Sequence, residues 1–298
     1  MKMELDALLG RIQSAFPDLR FEAARISPTG QDHAVVILDD AWIFRFPRSD
    51  EQAAWFPAEV RLLRALAGTS IATPDYRYLA PDGAFGGYPL IRGEEMSLRA
   101  VEALSREHQK AILTQLADFL SVLHAMPPNL LTGRDGRQRT NAGWAQQAAA
   151  QYVERFRPVV AAHVAPQLVA RLDSFHESYL ARAWPSEAVI HGDLREAHLL
   201  MTPDGARLAG VIDFGDAVVG DPAYDFTMFW MLGDWAPVFA IDRHEGADDG
   251  LAERSAWSFA RYATSRLALA LTGDSRYSAD RLAAQLERHL DALGPEAT

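Results

Sequence analysis

The sequence predicts an α+β fold in two lobes: a small β-rich N-terminal lobe over residues 1–91 and a larger, mostly helical C-terminal lobe over 92–298. Three observations carry that expectation. The first 90 residues alternate short strand-like runs with a single helical period. From Ser97 onward helical periodicity dominates, interrupted by two short apolar runs, Ala188-Val189-Ile190 and Leu208–Ile212. Each of those runs leads directly to an aspartate, Asp193 and Asp213, as a strand would that delivers a carboxylate to a cleft.

In chain order, residues 3–15 place Leu5, Leu8, Leu9 and Ile12 on one side of a helix. Phe21–Ile26 reads as a strand, followed by the turn-rich Ser27-Pro28-Thr29-Gly30-Gln31-Asp32. His33–Leu38 and Trp42–Phe46 read as paired strands around a tight Asp39-Asp40 turn, with Trp42, Phe44 and Phe46 on one face and Ile43 and Arg45 on the other. Residues 51–67 form a helix carrying Glu59 among Val60, Leu63 and Leu66. Tyr76–Leu79 and Tyr88–Ile91 fit further strands around Pro81-Asp82-Gly83. Residues 105–124 hold the strongest helical stripe, Ile112, Leu113, Leu116, Phe119, Leu120 and Leu123. One or two helices fit 141–182, and after Asp221-Pro222 helices resume, clearest over 249–270 and 279–293.

Composition narrows the chemistry. The chain has 298 residues, enough for a large core, and no cysteine, which excludes disulfides, thiolate metal sites and cysteine nucleophiles. A formal net charge of −11 argues against nucleic acid as a partner and suits a cationic ligand. Only two lysines occur, Lys2 and Lys110, and neither follows a glycine, so no Walker A loop exists. A phosphate-gripping cation in mid-chain must then be Arg or His. Acids near Met1 and the lack of a long apolar segment point to a cytoplasmic protein that neither carries a signal peptide nor touches a membrane.

The chemistry-bearing block is His191-Gly192-Asp193 with Ile212-Asp213-Phe214-Gly215. Phosphoryl transfer needs one acid to orient the attacking hydroxyl and another to hold Mg²⁺ on the phosphates. His198, between them, can complete the metal site, although oxygen donors suit Mg²⁺ better. A competing reading takes His191, Asp193 and His198 as zinc ligands, which leaves Asp213 without a task.

Together with Gly30, Arg45, Glu59 and Asp221-Pro222-Ala223-Tyr224-Asp225-Phe226, these blocks resemble the aminoglycoside phosphotransferase family, which shares the protein-kinase fold. The resemblance spans residues 26 to about 235. Its closest pattern is that of the 2''-aminoglycoside and macrolide phosphotransferases, which carry His where other members carry Asn, here His198.

The resemblance implies Asp193 as the catalytic acid and Asp213 with His198 as the Mg²⁺ ligands. It implies Thr29-Gly30-Gln31 as the turn covering the nucleotide, and Pro89, Leu90 and Ile91 as the hinge meeting the purine of ATP or GTP. Arg45 departs from the family pattern, in which Lys is common at that strand position. A guanidinium can grip phosphate bidentately, with Glu59 as its ion-pair partner. Asp225 is expected to brace the catalytic loop. His191 is expected to support that loop by hydrogen bonding. Acids after Gly233 (Asp234, Asp242, Glu245, Asp248, Asp249, Glu253) are candidates to hold substrate ammonium groups.

The implied activity is transfer of a γ-phosphoryl group to a hydroxyl of a small cationic acceptor of aminoglycoside type, by a monomer or dimer. Alternatives are a macrolide kinase, an amino alcohol kinase, or a nucleotide-binding scaffold without catalysis.

Overall fold

A computed structural model of the chain describes residues 2–28, 33–133, 146, 149–182, 188–274 and 276–294. The sequence-predicted turn at Gly30 lies outside these residues.

The N-terminal lobe is an antiparallel sheet in the order β1-β2-β3-β5-β4. Its strands are β1 (Ala24–Ile26), β2 (His33–Leu38), β3 (Trp42–Pro47), β4 (Tyr78–Leu79) and β5 (Gly86–Pro89). Helix α1 (Lys2–Ala15) covers one face and helix α2 (Asp50–Ala65) the other. The alternation in β3 divides the lobe into these two layers. Phe44 and Phe46 pack with Leu8 and Ile12 of α1, while Ile43 joins the core shared with Phe56, Leu62 and Leu63 of α2. Ser49 caps α2 by accepting from the Gln52 amide at 3.2 Å.

Several strands are shorter than the sequence pattern suggests, each for a visible reason. The segment before Ala24 leaves the ladder because the amides of Glu22 and Ala23 donate to the Asp39 carboxylate, at 2.9 and 2.7 Å. Asp39 and Asp40 both take positive φ (52° and 47°), which matches the twist of a tight hairpin. Tyr76 turns inward against Phe56 and Tyr88 instead of extending β4. The strand expected over Tyr88–Ile91 is instead Gly86–Pro89. Gly87 runs directly under Phe44, whose ring would lie 2.6 Å from any added Cβ.

The C-terminal part begins with β6 (Glu94–Glu95), α3 (Leu98–Ala103) and α4 (Arg106–His124). Further helices cover Arg157–His163, Pro166–Ala181, Trp235–Ile241, Leu251–Leu271 and Ala279–Leu293. Short strands punctuate them: β7 (Ala188–Ile190) pairs with β10 (Val218–Gly220), and β8 (Leu199–Met201) lies between β6 and β9 (Leu208–Val211). The sequence pattern showed β7 and β9 as apolar runs but not β6, β8 or β10. One buried core runs through both lobes, joining Phe56 and Leu63 of α2 to Leu116 and Phe119 of α4 and to Val211 and Phe214. A second holds the C-terminal helices together around Phe175, Trp257 and Leu286. No helix among the described residues is long and apolar enough to cross a membrane.

Buried histidines sit in these cores. Burial, followed by the charge of Arg261, pushes His176 down to about 3 from its ordinary 6.5. Burial and then His124 push His244 down to about 4. Both are held neutral in the fold but take a proton in the unfolded chain. The unfolded state therefore binds more protons as pH falls below about 6.5, and stability falls with it. Lowering the pH from 7 to 5 should thus lower Tm. His176 alone should contribute up to about 2 kcal/mol of that loss. His176 stacks on Tyr152 at 3.7 Å, and its Nε2 has no hydrogen-bond partner among the described residues. His176→Phe should keep the stack and shrink the pH-dependent drop, measured by thermal melts at the two pH values. An equal drop in both proteins would remove His176 as a cause.

Candidate active site

Asp193 and Asp213 converge on one cleft, with His198 between them. Asp213 ends the apolar run that follows β9 and takes a left-handed conformation, φ 66° and ψ 62°. Such backbone costs roughly 1–3 kcal/mol for a non-glycine residue. Fully buried Phe214 anchors the next position against Phe119 and His191, so the carboxylate is turned outward, 45% exposed. His198 Nδ1 lies 2.8 Å from the Asp193 carbonyl, a contact that requires its N–H on Nδ1 and leaves Nε2 as a lone pair. That Nε2 stands 3.4 Å from Asp213 Oδ2. Burial, working against the Asp213 charge, keeps the His198 imidazole below its usual range and therefore neutral. An oxygen donor and an unprotonated nitrogen facing each other fit a divalent cation. Among the described residues no third His, Asp or Glu closes round them, so phosphate oxygens and water would complete a Mg²⁺ shell.

Arg45 ties this acid to the N-terminal lobe. From the inner face of β3 its Nη1 donates to Glu59 Oε1 at 2.7 Å and its Nη2 donates to Asp213 Oδ1 at 2.8 Å. Nη2 also meets His33 Nδ1 at 3.2 Å, and the Tyr76 hydroxyl donates to Glu59 at 3.3 Å. Arg45 and Glu59 are 6% and 1% exposed. Burial alone would lower the Arg45 pKa, but Glu59, then Tyr76 and Asp213, raise it well above the ordinary value. Partial burial would raise Asp213, yet Arg45, followed by His198 and His191, holds it well below the usual carboxylate range.

The loop carrying Asp193 is braced from behind. Asp225 is fully buried and accepts from the His191 amide at 2.7 Å and the Gly192 amide at 3.1 Å. Burial would raise its pKa, but the bond from His124 Nε2, 3.0 Å away, outweighs that and lowers it. His124 in turn meets His244 across 2.8 Å. His191 contacts the Ile212 carbonyl through Nε2 and accepts from the Asp193 amide, at 3.0 and 3.3 Å, so its ring joins the two acid-bearing segments. Those contacts occupy both ring nitrogens and leave no place for His191 in a zinc site. Gly192 takes φ 79°, and a Cβ there would lie 2.5 Å from the Asp216 carbonyl oxygen.

Other expected residues are placed less simply. Of the hinge residues, Pro89 has no N–H and the Leu90 amide already donates to Ala41 at 2.8 Å. Purine recognition there would fall to Ile91 and the carbonyls. Among the acids after Gly233, Asp248 is chelated by Arg254, and Glu253 pairs with Arg182 at 2.6 Å. Both are therefore already paired with an arginine, although each side chain stays more than half exposed. Trp230 packs the helices, stacking on Phe259 and donating to Ser255.

The sequence reading missed His124, His244 and the Glu196–Tyr277 hydrogen bond, whose partners are far apart in the chain. It also missed Arg195, although its place two residues after Asp193 was a usable signal.

Glu59→Ala would leave the Arg45 charge buried without its inner partner and should cost about 3–5 kcal/mol in urea unfolding. A loss below 1 kcal/mol would show that Asp213 alone satisfies Arg45. Gly192→Ala combines the left-handed backbone with the clash on Asp216 and should cost at least about 1–3 kcal/mol on the same measurement.

Residues 24–257 match the family described as a phosphotransferase enzyme family. The uncharacterized protein YcbJ of Bacillus subtilis (strain 168) is 26% identical over 243 residues, 76% of each chain. Among solved structures, the GDP and kanamycin complex of APH(2")-IIia aligns with a TM-score of 0.74 at 23% identity, covering 96% of this chain and 99% of that one. Macrolide 2'-phosphotransferase type I aligns with a TM-score of 0.63 at 24% identity, covering 94% and 96%. At these identities the structural likeness establishes the fold, a two-lobed kinase-like architecture.

Proposed function

The chain belongs to this phosphotransferase enzyme family, whose members transfer phosphate to a hydroxyl, and from that premise we propose that it moves the γ-phosphoryl group of ATP or GTP to a hydroxyl of an aminoglycoside-type antibiotic. The observation that carries the reading is the convergence of three side chains, in which His198 stands 3.5 Å from Asp193 Oδ2 and 3.4 Å from Asp213 Oδ2. The nucleotide lies between lobes divided near residue 91. Its purine meets the segment Pro89–Ile91 and its phosphates meet Arg45. The turn Thr29-Gly30-Gln31, read from the sequence, covers it.

Asp193 accepts the hydrogen bond of the acceptor hydroxyl and aims its oxygen at phosphorus, which contributes through orientation more than basicity. Asp213 and His198 would hold Mg²⁺, which when bound neutralises charge on the phosphates. Arg45 also holds Asp213 in place and keeps it ionised. The neighbouring complex contains GDP and kanamycin, which supports a nucleotide donor and an aminoglycoside acceptor without fixing either.

One observation favours a macrolide acceptor as the second reading. Asp248 and Glu253, two of the six acids expected to receive ammonium groups, already pair with Arg254 and Arg182. A ligand with one amine and a large apolar surface needs fewer free acids than a polyamine.

The test is a nucleoside-diphosphate release screen over aminoglycosides, macrolides and amino alcohols, each with ATP and with GTP. Asp193→Ala should lower transfer by about 10²–10⁴-fold and leave nucleotide affinity nearly intact. Asp213→Ala should abolish the Mg²⁺ dependence of nucleotide binding, followed by calorimetry. Wild-type turnover in Asp193→Ala would overturn the assignment.

A further inference from the structure

Arg195 lies two residues past Asp193 and precedes the short 3-10 turn Glu196–His198. Its Nε donates to Asp193 Oδ2 at 3.1 Å, and its Nη2 donates to His198 Nε2 at 3.0 Å. One planar guanidinium thus holds Oδ2 of Asp193 and the one lone pair of His198 Nε2. A metal on His198 needs that same lone pair, so the guanidinium must leave His198 when the site fills. Its backbone is fixed beside Asp193, which keeps the displaced head at the cleft mouth. The side chain there is 27% exposed, so the move requires no unpacking of the core.

The arriving ligands supply a reason for the move. A nucleoside triphosphate brings more negative charge than one Mg²⁺ cancels, and that charge spreads over the equatorial oxygens of the transferring group. Arg45, which meets the phosphates, already commits Nη1 to Glu59 and Nη2 to Asp213, so a second cation is needed at the transferring group. Lys110 is engaged on the Phe239 ring, on α4.

We infer, on the basis of the phosphotransfer reading above, that Arg195 is a catalytic residue that swings from Asp193 and His198 onto the transferring phosphoryl group. In the step it serves, the acceptor oxygen bonds to the γ-phosphorus as the bond from that phosphorus to the β,γ-bridging oxygen breaks. The electron pair of the broken bond stays on the nucleoside diphosphate, and the hydroxyl proton passes to Asp193. The guanidinium forms two N–H···O bonds to the equatorial oxygens, a geometry its fork supplies and a lysine would not. The empty and loaded sites thus use the same side chain differently. In the first it balances two acceptors, and in the second it stabilises charge that develops only during transfer.

The experiment compares wild type, Arg195→Ala and Arg195→Gln by calorimetry, with Mg²⁺ and ADP or GDP, with and without aluminium fluoride as a mimic of the planar phosphoryl group. Thermal melts check that the variants fold, and Gln retains length and hydrogen bonding without charge. In wild type, aluminium fluoride should tighten diphosphate binding by about tenfold or more. Both variants should lose that tightening, while diphosphate affinity without the fluoride stays within about threefold and kcat falls by about 10²-fold or more. Variants that retain the full tightening would overturn the role of Arg195 alone. A wild-type protein that binds diphosphate but gains nothing from aluminium fluoride would overturn the phosphotransfer reading and this inference with it.

Discussion

The organising interaction of this molecule is one buried positive charge held between two carboxylates from different parts of the chain. Arg45 reaches Glu59 across the sheet–helix layer and Asp213 across the lobe boundary. Placing a guanidinium out of water costs several kcal/mol, which is recovered only when its donors are matched. Glu59, fully buried on an apolar helix face, has the same requirement. The two therefore fix the position of α2 relative to β3. Asp213, more exposed, completes the set and gains from it a carboxylate that stays ionised. The acid that faces the cleft is thus set in place by packing in the opposite lobe.

A second scaffold acts from below. Asp225 holds two consecutive amides of the loop before Asp193, and its remaining capacity is taken by His124. Because Gly192 lies against the Asp216 carbonyl, the Asp193 and Asp213 segments are in direct backbone contact, with the His191 ring as a further tie. Orientation within a few tenths of an ångström matters for phosphoryl transfer, and here it is supplied by groups that do not themselves face the cleft.

Much of this was legible in sequence. The apolar runs before Asp193 and Asp213, the two-faced pattern of β3 and the single Glu59 among apolar residues each follow from a local period, and the structure brings those side chains together. What escaped detection has physical reasons. Strands of two or three residues such as β6, β8 and β10 are too short to show a period, and they form because neighbouring segments offer hydrogen-bond partners. Asp225–His124 joins residues 101 positions apart and His124–His244 joins residues 120 apart, so no local pattern announces them. The pairing of Asp248 with Arg254 and of Glu253 with Arg182 was equally hidden, because a carboxylate reads the same in sequence whether it meets solvent or a chelating arginine.

The contact that joins the lobes carries a mechanical implication. Gly210 of β9 meets Ala72 in an isolated parallel bridge, the Val211 amide donates to the Ala72 carbonyl at 2.9 Å, and Ile91 would lie 2.7 Å from any Cβ at Gly210. The N-terminal segment rests there on bare backbone, with no side chain as a spacer. The closeness of the junction thus rests on one missing methyl: any side chain at position 210 would have to wedge Ile91 and the Ala72 backbone away from β9.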